Sequence, residues 1–122
     1  MIYGVGIDSV SVNRIKKSLN NKLFLLKVFG EQERYELELK NYKPEHVAAC
    51  FCAKEAFSKA IGTGLKGFKL NEVEMLHEPN GKPYLEFSEN LKEIYNDNNF
   101  KFNISVTHTK DIATVIVICE KI

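Results

Sequence analysis

The alternation of apolar and polar positions divides the chain into short strands and several helices. Residues 2–7 are an apolar run punctuated by glycine, which predicts a strand ending at Asp8. Residues 10–20 then read as a helix, because Val12, Ile15 and Leu19 recur at helical spacing. A second apolar stretch covers residues 23–29, and Gly30 is placed to stop it in a left-handed cap. Residues 31–40 read as a charged amphipathic helix. Pro44 suits the first turn of the next helix, over residues 45–61, which Gly62-Thr63-Gly64 ends. Residues 70–76 predict a strand, Asn80-Gly81 a turn, and residues 83–87 a second strand. Ser88 is placed to cap a short helix reaching about residue 95. Phe100, Phe102, Ile104 and Val106 alternate with polar residues, the pattern of a half-buried strand. A turn at residues 109–111 leads into a nearly all-apolar last strand, 112–119. Helices segregated from hairpins predict an α+β fold.

The helix over residues 45–61 is the most informative element. Apolar residues from Val47 to Ile61 cover most of its circumference, as in a buried helix. Lys54, Glu55, Ser58 and Lys59 interrupt that cover. At about 100° per residue they fall within an arc of roughly 140°. One reading is a solvated stripe with a Glu55–Lys59 pair one turn apart. The other is a carboxylate and a lysine facing a polar site on a mostly buried element.

Length and charge narrow the classes. At 122 residues the chain fits a single domain, residues 1–122, with a core of its own. Its 17 basic and 16 acidic residues nearly cancel, which argues against a nucleic-acid partner. Residues 14–28 are an exception: Arg14, Lys16, Lys17, Lys22 and Lys27 stand there without an acid, as a solvated face or a seat for an acidic partner. The apolar runs fall far short of the roughly 20 residues of a membrane span. No signal-peptide pattern opens the chain, and the three cysteines, Cys50, Cys52 and Cys119, are odd in number and set among apolar residues. A cytoplasmic protein with buried free thiols is expected.

Several features bear on chemistry. Gly62-Thr63-Gly64-Leu65-Lys66-Gly67 concentrates glycines whose N–H groups can approach an anion, yet Phe68 stands where a P-loop needs lysine. Gly4-x-Gly6 lacks the third glycine of a dinucleotide fingerprint. Asp8, between strand and helix, is placed as a helix N-cap. Asp8 and Glu55 are also two hard oxygen donors that, with substrate phosphate and water, suit Mg²⁺. His108 at a strand end is either structural or a positioned base or ligand contact.

Together these blocks resemble the holo-acyl-carrier-protein synthases. Gly4-Val5-Gly6-Ile7-Asp8, followed by Arg14-Ile15, resembles their opening, and Phe51-x-Ala53-Lys54-Glu55-Ala56-Phe57-Ser58-Lys59-Ala60-x-Gly62-Thr63-Gly64 their central signature. Gly81-Lys82-Pro83 and Ser105-Val106-Thr107-His108 match two later blocks in order. The resemblance implies a 4'-phosphopantetheinyl transferase fold, with helices packed on a mainly antiparallel sheet. It implies transfer of phosphopantetheine from coenzyme A to a serine of apo acyl carrier protein, releasing adenosine 3',5'-bisphosphate, in support of fatty acid synthesis. By the same resemblance Asp8 and Glu55 would hold Mg²⁺, and Asp8, Glu55 and Lys59 would be the catalytic set. Lys54, Ser58, Lys59, Gly62, Thr63, Gly64, Pro83 and His108 would bind coenzyme A. Arg14, Lys17 and Lys22 would meet the carrier protein. The short members are homotrimers with sites shared between neighbours, so Asp8 and Glu55 need not face the same pocket as the other residues of their own chain.

Two positions depart from the family pattern. Cys50 stands where many relatives carry arginine, leaving Lys54 and Lys66 as replacement cations, and Ser11-Val12 stands where an acidic and an aliphatic residue are usual. Competing readings are a non-catalytic module binding nucleotide or carrier protein, a metal-dependent phosphohydrolase using the same carboxylates, and a structural oligomer. Intact Asp8 and Glu55 weigh against the first, and the glycine loop has no use in the last.

Overall fold

The computed structural model describes residues 1–122. In chain order it comprises β1 (Ile2–Ser11), α1 (Val12–Ser18), α2 (Lys22–Val28), α3 (Glu31–Leu39) and α4 (Pro44–Ile61). Then follow β2 (Val73–His77), β3 (Pro83–Phe87), α5 (Glu89–Ile94), β4 (Phe100–His108) and β5 (Ile112–Lys121). The last strand is central: the three-stranded sheet runs β1-β5-β4, antiparallel throughout, while β2 and β3 form a separate hairpin. The α+β expectation holds.

The core lies between this sheet and α4. Ala113, Val115, Val117 and Cys119, alternate residues of β5, are wholly buried beneath the helix, which packs on β1 and β5. Its approach to β1 requires glycine. A Cβ on Gly6 would stand 1.9 Å from the Ala56 carbonyl oxygen, and one on Gly4 2.0 Å from that of Ala60. The glycine pair that fails as a nucleotide fingerprint is thus a packing device. A smaller cluster around Phe57, with Ile61, Val73, Phe87 and Leu91, closes the β2–β3 side. The opposite face of the sheet has no cover: Tyr3, Val5 and Ile7 are each more than half exposed.

Three local expectations are corrected. β1 does not end at Asp8, because pairing with β5 continues to Ser11 opposite Ile112. Asp8 is therefore a strand residue, and Ser11 caps α1, its Oγ accepting from the Arg14 N–H. Gly30 is not left-handed; with φ −74° it precedes α3 as the N-cap, and Glu33 reaches back to its N–H. Residues 70–72 form a 3₁₀ turn, so β2 starts at Val73. The three cysteines are free and buried. No helix is long and apolar enough to cross a membrane.

Candidate active site

The polar stripe of α4 is divided by its surroundings. Glu55 and Lys59 lie toward β1, where Asp8 projects from the inner face of the sheet. Lys59 Nζ donates to Asp8 Oδ1 at 3.0 Å and to the Ile7 carbonyl at 3.1 Å. Burial, then the Asp8 charge, push the Glu55 carboxyl above its ordinary range, with Lys59 opposing. Cys52 donates its S–H to the Asp8 carbonyl at 3.0 Å. Burial and the Asp8 charge raise this thiol to about 12, so it stays protonated and inert.

Lys54 and Ser58, on the other edge of the stripe, are corrected as coenzyme A contacts. Lys54 is wholly buried, its Nζ 2.6 Å from Glu33 Oε1 and also bonded to the Val73 carbonyl. Ser58 is buried and donates to the Glu55 carbonyl at 2.6 Å. Lys54 points into the junction with α3 and β2, so it cannot replace the arginine that Cys50 displaces. Lys66 remains exposed. Gly62 caps α4 with φ 81°, and Gly64, at φ 64°, accepts from the Thr63 hydroxyl at 2.9 Å. This loop is exposed.

Asp8 and Glu55 fit a magnesium ion. They are adjacent enough for the charge of one to raise the pKa of the other, and both offer hard oxygen. Two protein carboxylates leave coordination positions for phosphate and water, as Mg²⁺ prefers.

Pro83 and His108 meet elsewhere, in a cavity of about 270 Å³ between the first turn of α4, the β2–β3 hairpin and β4. Two further histidines line it, His46 and His77, which sequence reasoning missed. Neither lies in a motif, and His46 precedes the apolar run of α4, so only the fold marks them. Asp8 pairs with Val115 of β5, which pairs with Val106 of β4, so a full strand separates the carboxylates from this cavity. His46 and Glu55 also face opposite sides of α4, about 180° apart at 100° per residue. The Asp8–Glu55–Lys59 cluster and the His108 cavity thus lie at opposite edges of the sheet.

The basic segment forms a third region. Arg14 and Lys17 on α1 and Lys22 on α2 are exposed. Arg14 borders a cavity of about 190 Å³ floored by Val10, Ile15, Phe24 and Phe51. Leu23 and Leu26 are more than half exposed beside it.

This geometry belongs to a known class. Residues 4–116 match the family model described as the 4'-phosphopantetheinyl transferase superfamily. A holo-[acyl-carrier-protein] synthase of Fusobacterium nucleatum is 37% identical over 97% of this chain and 98% of its own. That of Treponema denticola is 38% identical over 98% and 99%. Among solved structures, the Bacillus anthracis synthase, in complex with CoA (3',5'-ADP), is 35% identical with TM-score 0.82, covering 99% of this chain and 98% of that one. The Neisseria meningitidis synthase, at 29% identity, has TM-score 0.91 and covers 99% and 100%. The chain belongs to the 4'-phosphopantetheinyl transferase superfamily and, within it, to the holo-[acyl-carrier-protein] synthases.

Proposed function

We propose that this chain transfers the 4'-phosphopantetheine group of coenzyme A to a serine of apo acyl carrier protein, in a Mg²⁺-dependent reaction that leaves adenosine 3',5'-bisphosphate. The observation that carries the reading is the Asp8–Glu55–Lys59 cluster, set where the family resemblance puts the metal and the pyrophosphate. Similarity to the synthase solved with coenzyme A supports the choice of donor.

The nucleophile comes from the partner, so the chain needs no serine triad. Its task is to hold a polyanion and to manage charge and one proton. Asp8 and Glu55 would hold Mg²⁺, which supplies electrostatic neutralisation of the pyrophosphate when bound. The Lys59 ammonium, anchored by Asp8 and the Ile7 carbonyl, lies ready to offset negative charge growing on the bridging oxygen. Glu55, or a water beside it, would take the proton of the serine hydroxyl. Gly62, Thr63 and Gly64 shape the nucleotide side. Pro83 and His108 line the coenzyme A pocket.

The cluster and the cavity at opposite sheet edges support a homotrimer in which the carboxylates of one copy complete the pocket of the next. The uncovered face carrying Tyr3, Val5 and Ile7 gives such copies an apolar surface to share. Arg14, Lys17 and Lys22 around an apolar groove suit an acidic helix of the carrier protein. The setting is the cytoplasm, and the modified carrier serves fatty acid synthesis.

The test is to incubate the protein with coenzyme A, Mg²⁺ and apo acyl carrier protein and weigh the carrier intact. A gain of one phosphopantetheine group is expected, lost with a chelator. Glu55→Gln should lose at least about a thousandfold in rate, roughly 4 kcal/mol of barrier, with an unchanged circular dichroism spectrum. Full activity in Glu55→Gln would remove Glu55 from the mechanism.

A further inference from the structure

The cavity holding Pro83 and His108 has an unusual polar wall. Its polar side chains are three imidazoles, from His46, His77 and His108, and the Ser105 hydroxyl; no carboxylate lines it. The rest is apolar, including Met75, Pro83 and Ile104, a surface suited to a flat heterocycle. No group of three His, Cys, Asp or Glu side chains is placed to hold a metal ion. The imidazoles are donors in waiting for an anion.

We propose that His46 and His77 join His108 as the phosphate contacts of a nucleotide in this cavity, and that binding takes up a proton. The inference rests on the transferase reading above and assigns to imidazoles the anion-holding task that Cys50 cannot perform. The Cys50 side chain is buried and directed to the Met75 carbonyl.

The tautomer of His77 supplies the argument. Its Nδ1 is 3.0 Å from Glu36 Oε1. A carboxylate only accepts, so Nδ1 carries the proton and Nε2 of the neutral ring is an acceptor. A phosphate oxygen is an acceptor too. Nε2 can meet it only when it too carries a proton, while Nδ1 keeps its bond to Glu36 of α3. The His77 backbone N–H, bonded to Glu36 Oε2 at 3.1 Å, fixes the residue in place.

His46 points the same way from α4. Its ring lies 6.1 Å from that of His108, centroid to centroid. Burial is the main cause of a lowered His46 pKa, followed by the positive neighbours Lys40, His108, Lys43 and His77. Glu45, the nearest carboxylate along α4, is engaged with Lys43 at 3.7 Å. The empty pocket thus favours neutral His46. An anion among these groups reverses that balance and draws a proton in.

The experiment is calorimetric titration of the full chain with adenosine 3',5'-bisphosphate from pH 6 to pH 8, in buffers of different ionisation enthalpy. The wild type, His46→Gln, His77→Gln and the double variant are compared, with thermal unfolding to confirm each fold. Wild type should take up about one proton and lose about tenfold more affinity over this range than the double variant. The ligand's own second phosphate ionisation, near pH 6, is common to all four proteins and cancels in the comparison. Each single variant should lose part of the uptake, so failure of one to fold leaves the other as the test. Equal uptake in the wild type and a folded variant overturns the proposal while leaving the transferase reading intact. No binding by the wild type at any pH overturns both.

Discussion

The same helix carries two lysine–carboxylate pairs. Lys54 meets Glu33 at 2.6 Å with both side chains fully buried. Lys59 meets Asp8 at 3.0 Å, and half of the lysine side chain is in solvent. The first pair is saturated. Glu33 also accepts from the Gly30 N–H at 3.3 Å and the Met75 N–H at 2.8 Å, and Lys54 lies over the Phe29 ring at 5.4 Å. It binds α3, α4 and β2 into one unit, and no buried side-chain polar atom is left unpartnered. The second pair has spare capacity: the Lys59 ammonium is bonded to Asp8 and the Ile7 carbonyl on one side and open to solvent on the other. Similar chemical groups become structure in one place and site in the other because only the first pair is sealed from water.

The largest effect that would test this contrast is on the buried pair. Lys54→Met should leave Glu33 as an uncompensated charge and cost about 3–5 kcal/mol of stability. Adding Glu33→Gln should recover part of it, because the amide oxygen still accepts from Met75. Denaturant unfolding reads both. A loss below about 1 kcal/mol in Lys54→Met would mean that the pair is not the staple described here.

Lys59→Ala sharpens the contrast from the other side. The exposed pair should contribute no more than about 1 kcal/mol to stability. Phosphopantetheine transfer should nevertheless fall about a hundred- to a thousandfold, the range for removing one preorganised electrostatic contact. Unfolding and transfer rate on the same preparation separate the two. A large loss of stability with unchanged transfer would exchange the roles assigned to the pairs.

How much of this was legible follows from the same stripe. The sequence placed Lys54, Glu55, Ser58 and Lys59 on one arc, but whether an arc faces water depends on what packs beside it. Here α3 and β2 cover the Lys54–Ser58 edge, and both arrive from distant sequence. Glu33 was read simply as part of a charged helix, although it shares a buried face with Leu37 one turn on. Strands and helices with clean periodicity, such as β4 and α4, were recovered nearly to the residue. The end of β1 was not, because polar residues at Asp8, Ser9 and Ser11 hide a pairing that β5 dictates from the far end of the chain. Asp8, Glu55, Lys59, Pro83 and His108 stand in motif blocks of the sequence. His46 and His77 lie outside those blocks, and only the packing of α4 against the hairpin brings them to the same cavity.

The smallest effect concerns how the damage in Lys54→Met depends on pH. In the wild type, burial already holds the Glu33 carboxyl above its ordinary value, with Lys54 opposing. Without Lys54 the opposition goes and the carboxyl rises further. A folded-state pKa above the unfolded one means that the native state holds the proton more tightly. The Glu33 contribution is then fully present below the unfolded value of 4.5 and is lost as pH rises through the folded value. The penalty of Lys54→Met, relative to wild type, should therefore shrink by about 1–2 kcal/mol between pH 8 and pH 5. Lys59→Ala should show a smaller recovery, since the Glu55 carboxyl that Lys59 opposes is only partly buried. Parallel denaturant series at the two pH values would decide it. A penalty that stays constant would mean that water reaches Glu33 once the lysine is gone, and that the seal around the pair depends on Lys54 itself.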